Sequence, residues 1–145
     1  MNLIIDTNIV FSTLLNPNSK IGDLVLNYQD SVKFYAPQLL IEEIDRYSDK
    51  IEKYSKLNST QISICKTLLL KSIQFVSEEL ITDKSWIKAI ELTKDIDEDN
   101  TPFVALAIQM NTKLWSGDKK LTNGLILKNS EIIYTTQELT KLLSI

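Results

Sequence analysis

Met1-Asn2-Leu3-Ile4-Ile5-Asp6-Thr7-Asn8 opens the chain. Leu3, Ile4 and Ile5 form an uninterrupted apolar run, the pattern of a short strand covered on both faces, and the run stops abruptly at Asp6. In open α/β sheets, ligands bind in the crevice beyond the carboxyl ends of the strands, which is where Asp6 falls. Asp-Thr-Asn is also good N-cap material, so Asp6 alone reads either as a site residue or as the cap of the next helix.

Beyond Asp6, Ile9, Val10, Thr13 and Leu14 share a helical face, and Asn16-Pro17-Asn18-Ser19 stops that helix with turn formers. A second helix follows through Ile21, Leu24, Val25 and Tyr28. Lys33-Phe34-Tyr35-Ala36 reads as a strand, and Pro37 as the first position of the next helix. That helix is expected to bury Leu40, Ile44, Tyr47 and Ile51 on one stripe. Asn58-Ser59 caps a further helix with Ile62, Cys65, Leu69 and Ile73 inward; Ile73, Phe75 and Val76 read either as its end or as an extended segment. Thr82-Asp83 starts another, whose Trp86, Ile87, Ile90 and Thr93 are expected to share the inner face. Phe103 to Ile108 shows almost no polar face and is expected to be deeply buried. Lys113 to Ser116 and Glu131 to Tyr134 read as strands, and Thr135-Thr136 caps a terminal helix through Leu139, Leu142 and Leu143. Strands alternating with helices at these separations predict a three-layer α/β fold. Its central sheet is mainly parallel, of four to five strands, with helices on both faces.

The chain has 145 residues, 43% apolar and 24% charged, which fits a single domain over residues 1–145 with a sizeable core. No apolar run approaches the ~20 residues of a membrane span, and no basic segment precedes an apolar one at the start, so the expectation is a cytoplasmic protein without a membrane partner. The single Cys65 reads as a small buried hydrophobe. With no histidine, Ser-His-Asp and Cys-His catalysis and His-rich zinc sites are excluded. Gly22, Gly117 and Gly124 are the only glycines, so no phosphate-cradling Gly-rich loop exists. A net charge of -3 argues against a broadly basic nucleic-acid surface, but not against a local basic patch or a metal-mediated contact.

What chemistry remains is carried by carboxylates. Glu42 and Glu43 sit near the start of the helix after the second strand. At 100° per residue Glu43 lies about 60° from Leu40 and Glu42 about 200° away, so Glu43 borders the packed face and Glu42 points to water. Asp95-Ile96-Asp97-Glu98-Asp99-Asn100 crowds acids just before the buried helix, and reads as a solvated loop or a cation site. Gly117-Asp118 follows a strand end directly, repeating the arrangement at Asp6, with an N-cap as the simpler role of Asp118.

In their order, Ile5-Asp6-Thr7-Asn8, the early Glu after the second strand, Asp95 to Asn100 before Pro102-Phe103-Val104-Ala105-Leu106-Ala107, and Trp115-Ser116-Gly117-Asp118-Lys119-Lys120-Leu121 resemble the PIN domain. The resemblance runs over nearly the whole chain. It implies a compact α/β ribonuclease that uses Mg²⁺ or Mn²⁺ to cleave single-stranded RNA, as do the toxins of toxin–antitoxin pairs. It also implies an antitoxin protein partner and a homo-oligomer. Carried onto this chain, it makes Asp6, Glu43, Asp99 and Asp118 the catalytic acids. Asp6, Asp118, Asp97 and Asn100 become the metal ligands, with Asn8 and Ser116 supporting them and Lys119 and Lys120 contacting the RNA backbone. An ungapped count from Pro37 selects Glu42; Glu43 is preferred because core Ile44 follows it. Asn100 stands where the family has an Asp. Asn can ligate through its carbonyl but adds no charge, so either Asp97 or Asp99 substitutes for it or the metal binds weakly. Two other classes remain beside the nuclease: a silent PIN-like module that binds nucleic acid or protein, and a Mg²⁺-dependent domain that forms an aspartyl phosphate.

Overall fold

A computed structural model describes residues 1–143. Five strands, β1 (Asn2–Ile5), β2 (Lys33–Pro37), β3 (Ile73–Val76), β4 (Lys113–Trp115) and β5 (Ile133–Tyr134), form one sheet in the order β3-β2-β1-β4-β5. Every pairing is parallel. The register sets Ile4 against Tyr35 on one side and Leu114 on the other, and Ile5 against Trp115. Leu3, Ile4 and Ile5 are all fully buried although neighbouring strand residues point to opposite faces, so both faces of β1 are covered.

The chain steps from β1 outward through β2 to β3, then crosses to the far side of β1 for β4 and β5. Right-handed crossovers in opposite directions put the connecting helices on opposite faces. One layer holds α1 (Thr7–Leu15), α2 (Lys20–Asn27), α3 (Leu39–Arg46), α4 (Ser48–Tyr54) and α5 (Ser59–Ser72), with α1 touching each of the others. The other holds α6 (Asp83–Thr93), α7 (Thr101–Gln109) and α8 (Lys119–Leu127), and α9 (Thr136–Leu143) closes the chain. From Phe103 to Ala107 every residue of α7 is buried, against β1, β2 and β4, which accounts for its lack of a polar face. Phe103, Val104 and Leu106 each contribute about 1.5–3 kcal/mol of burial, and the two alanines less. Among the described residues no helix is long and apolar enough to cross a membrane.

Local chemistry sets the ends of these elements. Asn58 and Gln61 form a reciprocal capping box at the start of α5. Ser19 and Thr82 cap α2 and α6 through their hydroxyls. Gln38 offers α3 no side-chain cap; instead Glu78, just past β3, accepts from Leu39 N–H at 2.9 Å.

The structure departs from several sequence-based expectations and resolves one segment they left open; Leu142 is exposed and Cys65 only half-buried. Pro37 is the last residue of β2, paired with Val76, rather than a first helical residue. Ile73 starts a strand, which resolves the ambiguous segment as β3. The helix expected from Gln38 to Ile51 is broken at Tyr47, where Ser48 Oγ donates to the Asp45 carbonyl and competes with the helical ladder. Tyr47 is consequently 39% exposed instead of core. On α6 the inner stripe is Ser85, Ala89 and Thr93, and Ile87 and Ile90 face outward. Small residues prevail there because α6 lies close along α7, with Thr93 and Thr101 hydroxyls 2.6 Å apart between them.

Candidate active site

The order in which strands are added reverses between β1 and β4, the place where open α/β folds leave a crevice at the strand ends. Asp6 and Ser116 each come one residue after the paired Ile5 and Trp115, so they meet across that point. Ser116 Oγ donates to Asp6 Oδ2 at 2.6 Å and accepts from Asp118 N–H at 3.0 Å. The Thr7 N–H donates to Asp6 Oδ1 at 2.8 Å, so both Asp6 oxygens have partners although the residue is only 5% exposed. Asp6 is thus a helix cap and a cleft residue at once. The same holds for Asp118, whose Oδ1 accepts from Leu121 N–H at 3.1 Å at the start of α8. Asn8 Oδ1 accepts from Gly117 N–H at 3.3 Å, a second link between the two loops.

A cleft of about 210 Å³ opens over this point, lined by Asp6, Thr7, Asn8, Phe11, Glu43, Tyr47, Asp97, Asp99, Asn100 and Asp118. Glu43 lines it and Glu42 does not, as the helical angles predict. Thr7 Oγ1 donates to Glu43 Oε1 at 3.3 Å. The acidic run divides: Asp97 and Asp99 line the cleft, while Asp95 pairs with Lys128, which also donates to the Leu92 carbonyl at 3.0 Å. Asn100 is buried at the start of α7, and its Nδ2 makes a long 3.5 Å contact with Asp118 Oδ2. Lys119 and Lys120 are exposed in the first turn of α8 and do not line the cleft; Lys120 borders a separate groove with Asp95 and Lys128.

Charge crowding shows in the protonation of these acids. Burial pushes the Asp6 carboxyl up from 3.8 to about 6; the hydrogen bonds from Ser116 and Thr7 oppose it, and the charges of Asp118 and Asp97 add to it. Glu43 is raised as well, chiefly by burial, with Thr7 and Arg46 opposing and Asp6 and Asp99 adding. The donor set is all oxygen, and its strained negative charge is of the kind a hard divalent cation relieves. It fits Mg²⁺ or Mn²⁺ in kind, although among the described residues no three acidic side chains are already gathered around one point.

Three lining residues, Thr7, Phe11 and Tyr47, carried no functional reading in the sequence. Phe11 is one helical turn from Thr7, and Tyr47 one turn from Glu43. An i+3 step from the predicted Asn8 and an i+4 step from the predicted Glu43 find both aromatics.

In a chain without histidine, the cleft at the switch point of this five-stranded parallel sheet is lined chiefly by carboxylates, which defines an α/β protein with an acidic strand-end site. The PIN domain family matches residues 4–140, and the chain belongs to that family. No curated protein matches it. Among solved structures it is similar to a chain in the crystal structure of VapBC2 from Rickettsia felis bound to a DNA fragment from their promoter. That similarity has a TM-score of 0.62 at 14% identity, covering 93% of this chain and 98% of the other, and is a likeness of fold.

Proposed function

We propose that this protein is a metal-dependent endoribonuclease that hydrolyses phosphodiester bonds of single-stranded RNA. The observation that carries the reading is the gathering of Asp6, Glu43, Asp97, Asp99 and Asp118 on one cleft in a chain without histidine. Asp6, Asp118, Asp97 and the carbonyl of Asn100 would hold the ion. When bound, Mg²⁺ or Mn²⁺ supplies a water of lowered pKa and offsets charge on the scissile phosphate. The chain's own groups position and exchange protons. Ser116 and Thr7 N–H fix the Asp6 carboxylate, and Asn8 fixes the loop that carries Asp118. Glu43 Oε1, with its raised affinity for a proton and the Thr7 hydroxyl beside it, suits a proton-transfer role. Asp99 completes the acidic wall. Lys119 and Lys120, outside the cleft, suit contacts to flanking phosphates.

The solved relative is a VapBC2 assembly on promoter DNA. By analogy we assign this chain the role of a toxin nuclease in the cytoplasm, restrained by an antitoxin protein and self-associating as a homo-oligomer. The test is cleavage of single-stranded RNA with Mg²⁺ or Mn²⁺. The reading expects cleavage that stops with EDTA and with Asp6→Asn. A second reading, a silent PIN-like binding module, is favoured by Asn100 in place of an acid and by the spread of the lining acids, no three of which converge on one point among the described residues. Metal-independent binding of RNA with no cleavage by any folded preparation selects it.

A further inference from the structure

Tyr47 occupies a position that hydrophobic spacing assigns to the core, yet its side chain opens on the acidic cleft at 39% exposure. Its ring rests on Phe11, centroids 5.3 Å apart and planes tilted by 54°, and Phe11 lines the same cleft. Lys50 Nζ lies 5.7 Å from the Tyr47 centroid, on the following helix α4. The cleft thus has an aromatic surface on one flank of its carboxylates, with an exposed cation beside it.

A wall of acids repels a polyanion; Lys119 and Lys120 do not line the cleft, and neither does Arg46, although its charge reaches Glu43. Affinity for a strand there needs a contact that does not depend on charge. Stacking of a base on an exposed aromatic face is such a contact, and it tolerates any base because every base has a π-face. A loosely held lysine over that face is readily displaced, because an exposed cation–π pair is weak.

Resting on the nuclease reading, we propose that Tyr47, backed by Phe11, is the stacking platform for one nucleobase next to the scissile phosphate, and that Lys50 moves from the ring to the strand's backbone when the base arrives. The platform makes recognition at that position sequence-tolerant, with purines held better than pyrimidines by their larger face.

The experiment is steady-state cleavage of a short single-stranded RNA with Mn²⁺ by the full chain and by Tyr47→Ala, Tyr47→Leu, Tyr47→Phe and Tyr47→Trp. Tyr47→Ala and Tyr47→Leu are expected to raise KM about tenfold with a smaller change in kcat, while the two aromatic variants keep KM near wild type. An abasic spacer walked through the RNA should erase the difference between wild type and Tyr47→Leu at one position only. Tyr47→Leu keeps the apolar contact with Phe11, so a loss confined to unfolding of Tyr47→Ala is recognised by circular dichroism and leaves the leucine variant to decide. Unchanged KM in folded Tyr47→Leu, or a rise that is equal at every spacer position, overturns the platform while leaving the nuclease reading standing. A wild type that cuts no RNA under any metal removes both.

Discussion

Ser116 Oγ donates a 2.6 Å hydrogen bond to Asp6 Oδ2, joining the ends of β4 and β1 across the switch point of the sheet. Because the bond favours the charged carboxylate, its contribution depends on pH. In Ser116→Ala the Asp6 carboxyl should rise above its value of about 6, and the Asp118 N–H loses its acceptor. The expected cost is about 1–3 kcal/mol at pH 8, where Asp6 is ionised, and clearly less at pH 4.5. Urea unfolding at the two pH values checks it, and an equal loss at both would contradict the assignment.

Asp6 itself should destabilise the metal-free fold at neutral pH. Its carboxyl sits at about 6 in the fold against 3.8 as the ordinary value, so the native state binds the proton more tightly than the unfolded chain. The stability this group contributes is full below 3.8, declines as pH rises to about 6, and is lost above it. Asp6→Asn removes the charge, so it should gain on wild type over that window and be more stable at pH 7 in EDTA by at most about 3 kcal/mol. Glu43, raised in the same direction, adds to the wild-type trend. Adding Mn²⁺ should stabilise wild type and leave Asp6→Asn little changed, with cleavage absent in the variant. A metal-free variant less stable than wild type at pH 7 is the contrary result.

Gly22 separates fold from site. A Cβ there would stand 2.3 Å from the carbonyl oxygen of Pro17, which is backbone and has no side-chain freedom to move away. Gly22→Ala is expected to cost about 1–3 kcal/mol in urea unfolding. Because the Pro17 turn is not among the residues of the acidic cleft, RNA cleavage per folded molecule should match wild type.

These residues also show what a sequence exposes and what it hides. Asp6 and Asp118 were legible because an apolar strand ending on a carboxylate is a local pattern, and parallel topology places all strand ends on one rim. Glu43 was separable from Glu42 because helical geometry fixes 100° per residue, and both do fall as that angle requires. Tyr47 was hidden because its spacing continues the Leu40 and Ile44 stripe, while the break before Ser48 depends on a side-chain hydrogen bond to Asp45 that has no periodic signature. The division of the acidic run was hidden too. It depends on Lys128, distant in sequence, drawing Asp95 to the far side of the loop.

Asn100 stands where the resemblance to the PIN domain leads one to expect an acid, and its surroundings say what placing one there should do. The residue is buried at the start of α7, with its amide 3.5 Å from Asp118 Oδ2. Asn100→Asp replaces a donor facing Asp118 with a second negative charge. Without metal this should destabilise the protein by about 1 kcal/mol, since the helix N-terminus offsets about 0.3–1 kcal/mol of the repulsion. A divalent cation reverses the sign, because the two carboxylates then share it. Mn²⁺ affinity by calorimetry is expected to rise at least about tenfold, and the thermal shift on adding Mn²⁺ should exceed that of wild type. Faster cleavage by Asn100→Asp at low Mn²⁺, converging with wild type at saturating metal, would mean that Asn100 limits the occupancy of the site rather than its chemistry. Equal Mn²⁺ affinity in the two proteins would place Asn100 outside the metal site and leave Asp97 and Asp99 as the acids that serve it.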